Sequence, residues 1–454
     1  MFQAFTNVAR IPELRKKLLI TAGLLVIYRL LIFIPLPGAF HSDSPNQDLG
    51  GLWDFADLFA GGAIRAKSLL ALGIMPYISA AIIFQLLAAV LPALQKIAKE
   101  GEVGRKRINQ YSRYATVLLC LIQGPMLALS PILRGPKPGS PEALAAGATE
   151  VFGWDHRFAY FSMVILALTV GTLFVMWLGE QIDEFGIGSG ISLIIMAGIL
   201  ARVPQAVGEI AGNFEWQLGA GELGKIGPET VATLLGLFIF MVVGVVALTQ
   251  AHRRVPIHTA RTRTLQGFSH RSYIPLRLNM AGVISIIFAQ SLMMIPNFLQ
   301  NSPLANTPVL GGLVRSMGYG GFLYTTLYAL LIVFFTYFYT AVTFNPVEQA
   351  NNFKEWGTFI PGIRPGRQTA EYLDGIMRKV TLAGAVGLVY VALAPQFITW
   401  TLQVSPNVGS FFGGTGLLIV VGVALDLSQR MEQYLLMQHY QGFLEGGGRM
   451  VGRR

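Results

Sequence analysis

Charge is scarce in this sequence. Only 13% of its 454 residues are Asp, Glu, Lys or Arg, where a soluble domain carries roughly 25%. With 53% hydrophobic residues and a mean hydropathy of +0.54, the composition excludes a soluble globular enzyme and indicates an integral membrane protein. Cysteine is almost missing as well: Cys120 stands alone in an apolar run, which excludes an internal disulfide and makes it a small hydrophobe. The six histidines, at 41, 156, 252, 258, 270 and 439, form no HExxH and no i,i+4 ligand pair. A Walker sequence and a nucleophile elbow are also absent. The GIGSG run at 186–190 lacks a βαβ context, so its glycines read as close helix packing and an entry to the next span. No catalytic residue, metal site or cofactor is expected. Carboxylates are nearly absent from the apolar runs, Asp426 being the main exception. A proton- or sodium-coupled transporter needs an intramembrane acid, so its absence weighs against that class.

The sequence does have long apolar runs. They predict an all-α polytopic protein with spans at Leu18–Pro35, Tyr77–Leu94, Tyr114–Leu133, Phe158–Leu178, Ile187–Ala201, Val231–Gln250, Met280–Phe298, Phe322–Phe344, Val380–Trp400 and Gly416–Leu436. The N-terminal MFQAFTNVARIPELRKK has no small-residue cleavage site at the end of the apolar run it precedes, so the first span reads as retained. Arg29 lies inside that span, where it either snorkels or meets a backbone carbonyl.

The stretch Gly61–Leu91, GGAIRAKSLLALGIMPYISAAIIFQLLAAVL, breaks the pattern. Its Gly-Gly pair, Arg65, Lys67 and the Gly73–Pro76 interruption do not suit one ordinary helix. Pro76 lacks an amide hydrogen, so a helix must restart there. The part before it, 61–74, is too short and too charged to cross and reads as a half-helix that dips in and turns at Gly73–Pro76. Irregular backbone at membrane depth needs protein or a water-filled cavity around it. A cavity is therefore expected.

Lys and Arg set the orientation. With the N-terminus cytoplasmic, 25 of them fall on the inner side and 8 on the outer, which predicts both termini inside. The loop holding Glu180, Asp183 and Glu184 dissents, having no cation. Ten spans divide into halves at 1–203 and 231–436, joined by an outer hinge at 204–230 and followed by a cytoplasmic tail at 437–454. Since five is odd, the halves are inverted relative to each other, the condition for a pseudo-symmetric repeat around a central site.

Two features have two readings each. Ile78 and Ile82 share a helix face, as do Ile191 and Ile195, and spacing alone makes them packing residues. The inner loops 251–279 and 345–379 carry Arg253, Arg254, Arg261, Arg263, Arg364 and Arg367, which serve either orientation alone or docking of an acidic or nucleic-acid-rich partner.

The segments RLLIFIPLPG, GGAIRAKSLLALGIMPYISAAIIFQLL, KEGEVGRKRINQYSRY, GEQIDEFGIGSGISLII, LRLNMAGVI, FNPVEQANNFKEWGTFIPGIRPGRQTAEYLD and FFGGTGLLIVVGVALD resemble, in order, those of the SecY family, the central subunit of the bacterial protein-conducting translocon. The resemblance implies an hourglass pore. Residues 61–74 would be its plug, with Gly61, Gly62 and Gly73 as hinges and Arg65 and Lys67 facing the aqueous outer funnel, and Ile78, Ile82, Ile191, Ile195, Ile284 and Ile419 its apolar ring. It implies a lateral gate, on which Gln85, Gln123 and Asn279 lie and across which their amides would meet, and docking of the ribosome and the motor ATPase SecA on the two basic loops, with Arg364 matching the family's functional arginine. Further implied partners are the small subunits SecE and SecG, signal-bearing preproteins, SecDF, YidC and lipids of the bacterial inner membrane. The alternative is an ion-coupled solute transporter with inverted repeats.

Overall fold

The computed structural model describes residues 12–39, 56–130, 133, 157–214, 216, 227–259, 272–300, 312, 321–402, 404, 408–409 and 414–446. They divide between two compact units, one of 1–205 with 423–454 and one of 206–422. This division departs from halves at 1–203 and 231–436 at its C-terminal end, because the chain from Val423 onward packs with the first unit.

In the first unit, α1 (Pro12–Leu31) precedes the re-entrant stretch, and α2 (Met75–Val90) follows it. Pro76 occupies the first turn of α2, where its missing amide hydrogen would have had no partner. Leu91 is extended, and Pro92 then opens α3 (Pro92–Lys99). The span expected to run to Leu94 therefore ends at Val90, since the residue before a proline leaves the helical region. A tight hairpin joins α3 to α4 (Glu102–Ala128): a Cβ on Gly104 would lie 1.7 Å from the Ile97 carbonyl oxygen. Residues 95–113, expected as a loop, are thus largely helical.

α5 (Arg157–Phe185) and α6 (Gly190–Leu200) form a second hairpin, in which a Cβ on Gly190 would come within 2.0 Å of the Gly179 carbonyl oxygen. This is the close packing expected of the GIGSG run. Asp183 accepts a hydrogen bond from the Gly190 amide at 2.7 Å, and Glu180 pairs with Arg113 of α4 at 2.8 Å. Two of the three dissenting acids, Glu180 and Asp183, are thus spent on local structure. The unit closes with Leu14, Ile187 and Met431 packed together, Met431 coming from the last helix.

The second unit continues from α7 (Val203–Gly212) into α8 (Pro228–Gln250), strands β1 (His252–Thr259) and β2 (Ser272–Arg277), and α9 (Ile284–Gln300). Then come α10 (Phe322–Thr343), α11 (Pro346–Glu355), β3 (Thr358–Phe359), α12 (Arg367–Leu402) and α13 (Thr415–Gly446), which begins in this unit and belongs to the first from Val423 on. Leu234, Ile398, Val404 and Val408 form one apolar cluster of this unit. A glycine allows α12 to approach the chain after β2, because a Cβ on Gly384 would sit 2.2 Å from the Leu278 carbonyl oxygen.

Among the described residues five helices are long and apolar enough to cross a membrane: Phe158–Phe185, Gly190–Gly212, Pro228–Gln250, Phe322–Glu355 and Arg367–Leu402. The bent pair around Leu91 makes a sixth if counted as one span.

Candidate functional site

Residues 56–59 make one helical turn, and residues 60–74 continue as turns rather than the expected half-helix. The reason is local. Gly61, Gly62 and Gly73 have φ of +68°, +89° and +55°, and Lys67 also lies in the left-handed region at +48°. Such backbone cannot propagate a helix. Instead the segment is held by its neighbours. The Arg29 guanidinium donates to the Gly61 carbonyl at 2.8 Å, meeting the backbone carbonyl that its place in the first span suggested. The Tyr28 hydroxyl donates to the Ala60 carbonyl at 3.4 Å. The amides of Leu36 and Leu69 exchange bonds with the Lys67 and Ile34 carbonyls at 2.8 and 3.0 Å, pinning the segment to the IPLPG turn.

Asp57 organises the interior of this segment. It is fully buried, and its Oδ1 accepts the amides of Ile64 and Arg65 at 2.8 and 3.1 Å. Its Oδ2 faces two guanidiniums as ion pairs, Arg202 at 3.2 Å and Arg65 at 3.5 Å. Burial pushes the Asp57 carboxyl above the usual carboxylate range, while Arg202, the two amides and Arg65 pull it back. Lys67 is also buried, which lowers its ammonium. The expectation that Arg65 and Lys67 face an open funnel is thus corrected for this structure: Asp57 takes Arg65, and Lys67 lies inside.

Sequence reading missed Asp57, Arg202 and Tyr28. They stand far apart along the chain, and no motif joins them. A signal existed in composition, because Asp57 is the only acid within the stretch Ala56–Ile74. The segment also touches α6 and α5 backbone to backbone. A Cβ on Gly61 would lie 2.9 Å from the Gly198 Cα, and one on Gly171 would lie 2.3 Å from the Leu69 carbonyl oxygen.

Of the apolar candidates in the first unit, Ile78 and Ile195 are buried and Ile82 and Ile191 half-buried. Ile191 packs where a Cβ on Gly179 would meet it at 3.3 Å. In the second unit Ile419 is buried and Ile284, the first residue of α9, is half-buried. Gln85 is exposed and Gln123 half-buried. Asn279 differs from the expectation of an amide reaching across helices. Its Oδ1 accepts the Gly282 amide at 2.8 Å, so the side chain closes the turn that leads into α9.

The two basic loops come together. β1 pairs antiparallel with β2 in the register Val255↔Ile274, and with β3 through His258↔Phe359, giving the order β2-β1-β3. Alternate residues point inward: Val255, Leu276, Phe353, Ile360, Leu373 and Met377 form a small core. Arg253, Arg254 and Arg277 stay exposed on this platform, and Arg254 lies over the Tyr273 ring at 4.9 Å. The turn after β3 uses Gly362 and Gly366 at φ of +80° and +105°. It projects Arg364, whose carbonyl accepts the Thr369 hydroxyl at 2.9 Å, while exposed Arg367 pairs with Glu371 at 2.9 Å. Arg261 and Arg263 lie outside the described residues. No group of three or more His, Cys, Asp or Glu side chains among the described residues could hold a metal ion.

A family model described as SecY matches residues 68–428. The protein translocase subunit SecY of Thermotoga maritima is 38% identical over 466 residues, covering 100% of both chains. Among solved structures, one described as a protein conducting channel aligns with TM-score 0.57 and 18% identity over 93% of each chain. Sec61 from a canine ribosome-channel complex of the endoplasmic reticulum aligns with TM-score 0.54 and 18% identity, again over 93% of each. At that identity the structures speak for the fold, a helical SecY/Sec61 channel fold, while the family match and the full-length relative settle descent. The chain belongs to the SecY family.

Proposed function

We propose that this chain is the channel subunit of a protein translocase, passing unfolded secretory proteins across the membrane and releasing apolar segments sideways into lipid. One observation carries the reading furthest. An interrupted, glycine-strained segment, 56–74, is packed inside the first unit directly ahead of the helix bearing Ile78 and Ile82. Nothing in a simple helical bundle calls for such a segment, whereas a closable pore does.

In this reading residues 61–74 are the plug. Ile78, Ile82, Ile191, Ile195, Ile284 and Ile419 form the constriction. An apolar ring dewets, so it resists ions while offering no hydrogen bond to a sliding chain. Ten spans in two inverted five-helix halves enclose it, with both termini cytoplasmic, joined by the hinge at 204–230. Gln85, Gln123 and Asn279 lie on the lateral gate. The platform built from β1, β2 and β3 docks the ribosome and the motor ATPase, because guanidinium suits phosphate and carboxylate alike. SecE and SecG complete the channel, and SecDF and YidC are occasional partners. No step of chemistry is assigned to the chain itself. Energy enters through the partner.

Depletion of the chain in its host provides the test. Accumulation of uncleaved, signal-bearing precursors supports the channel. Loss of ion-gradient-dependent solute uptake, with precursors processed normally, refutes it in favour of a transporter.

A further inference from the structure

The contacts of segment 56–74 are unequal in kind. Tyr28 and Arg29 hold carbonyl groups, and the IPLPG turn holds backbone. Arg65 lies in the same segment as Asp57. Arg202 is different: it stands just beyond the last residue of α6, the helix that carries Ile191 and Ile195. The same helix presses Gly198 against Gly61. Two contacts, one steric at Gly61 and one ionic at Asp57, therefore connect the C-terminal end of α6 to the segment.

We infer that the Asp57–Arg202 pair is a positioning contact that couples α6 to the plug, so that displacement of the ring helix by an entering chain pulls Arg202 away and frees the plug. This rests on the channel reading above. The contact is suited to reversal. Oδ2 meets Arg202 in an ion pair without a directional hydrogen bond, and burial offsets much of the attraction between the two charges. Once the plug enters water, Asp57 is solvated and the pair has little left to restore. Arg202 is also the strongest of the influences keeping the Asp57 carboxyl ionised inside the protein.

The groups facing Asp57 are Arg65 with the amides of Ile64 and Arg65 on its own segment, Arg202 just beyond α6, and Tyr28 from α1. Removing Arg202 leaves the carboxylate with less positive charge around it, so the closed plug then favours the protonated acid. The sign follows. An R202Q channel should close better as the outer pH falls, because protonation removes a poorly compensated buried charge.

The test uses the purified channel with its small subunits in planar bilayers, without substrate. R202Q should raise resting conductance roughly tenfold at about pH 7.5 and lose most of that rise at about pH 5.5, whereas R65Q changes it by about twofold or less. R202K should lie between R202Q and the parent. A second reading uses Ala63→Cys, a position as fully buried as native Cys120. A membrane-impermeant thiol reagent added outside should label it faster in the R202Q background than in the parent. Resting conductance in R202Q equal to the parent, or a rise that ignores pH, overturns the coupling. If R202Q does not assemble, R202K and R65Q decide it by the same ordering. A parent channel that translocates no precursor would instead refute the channel reading, so the two failures are distinguishable.

Discussion

Arginine serves two opposite purposes in this molecule. In segment 56–74 and its surroundings, Arg29, Arg65 and Arg202 are turned inward, each on a carbonyl or on the buried Asp57. On the platform of β1, β2 and β3, Arg253, Arg254 and Arg364 are exposed, and the core beneath them is purely apolar. The first arrangement fixes a strained backbone in one place. The second leaves charge available for something outside the chain. Buried pairs matter through the damage done when one partner is lost, while exposed charges act on association rather than on folding.

That contrast can be broken in graded steps. The largest effect belongs to the platform: R364E should block export almost completely while leaving the purified protein as heat-stable as the parent, since Arg364 is exposed and makes no ion pair among the described residues. Pulse-labelled precursor processing and a melting curve check it together. Next comes Gly61→Val, which adds bulk at φ +68° against the Gly198 Cα. Strain of this kind costs about 1–3 kcal/mol, and the expected outcome is a raised resting conductance with export retained. Asn279→Leu should follow, lowering the signal hydrophobicity needed for export, measured with a graded set of signal sequences. It also removes the bond to the Gly282 amide, so a modest drop in melting temperature accompanies it. The smallest effect should come from Asn345→Ala. Its side chain accepts the Val347 and Glu348 amides at the start of α11, a cap worth about 1 kcal/mol. Export should fall only slightly, and if it falls as far as with R364E, the platform depends on rigidity rather than on charge.

What the sequence revealed depended on the range of the interaction. Pro76 restarting a helix and Gly190 packing closely are local or near-local effects and legible in sequence, whereas the carbonyl that Arg29 meets lies 32 residues away and is one of the two fates its place in the span allows. The platform was half legible. Val255 with Ile257 and Ile274 with Leu276 alternate as strands do, but the prolines at 256 and 275 and the high charge disguised them as loop. The pairing of β1 with β3 was beyond reach, since it joins two separate loops. The polarity of Asn279 is visible in the sequence and suggests an amide bridging helices, but the turn that it closes is not visible there. Asp57 and Arg202 were invisible for the same reason as β3: only the fold brings them together. Residues 61–74, expected as a half-helix from their apolar content, form turns because three glycines in the left-handed region forbid it.

The central claim is that this chain conducts protein. Its most direct test reconstitutes the chain with its small subunits in sealed vesicles, adds the motor ATPase with ATP outside, and measures how much of a fluorescent precursor becomes protected from protease. The account predicts protection that needs both an intact signal sequence and Arg364. Vesicles that accumulate a small solute under an ion gradient and protect no precursor would contradict it.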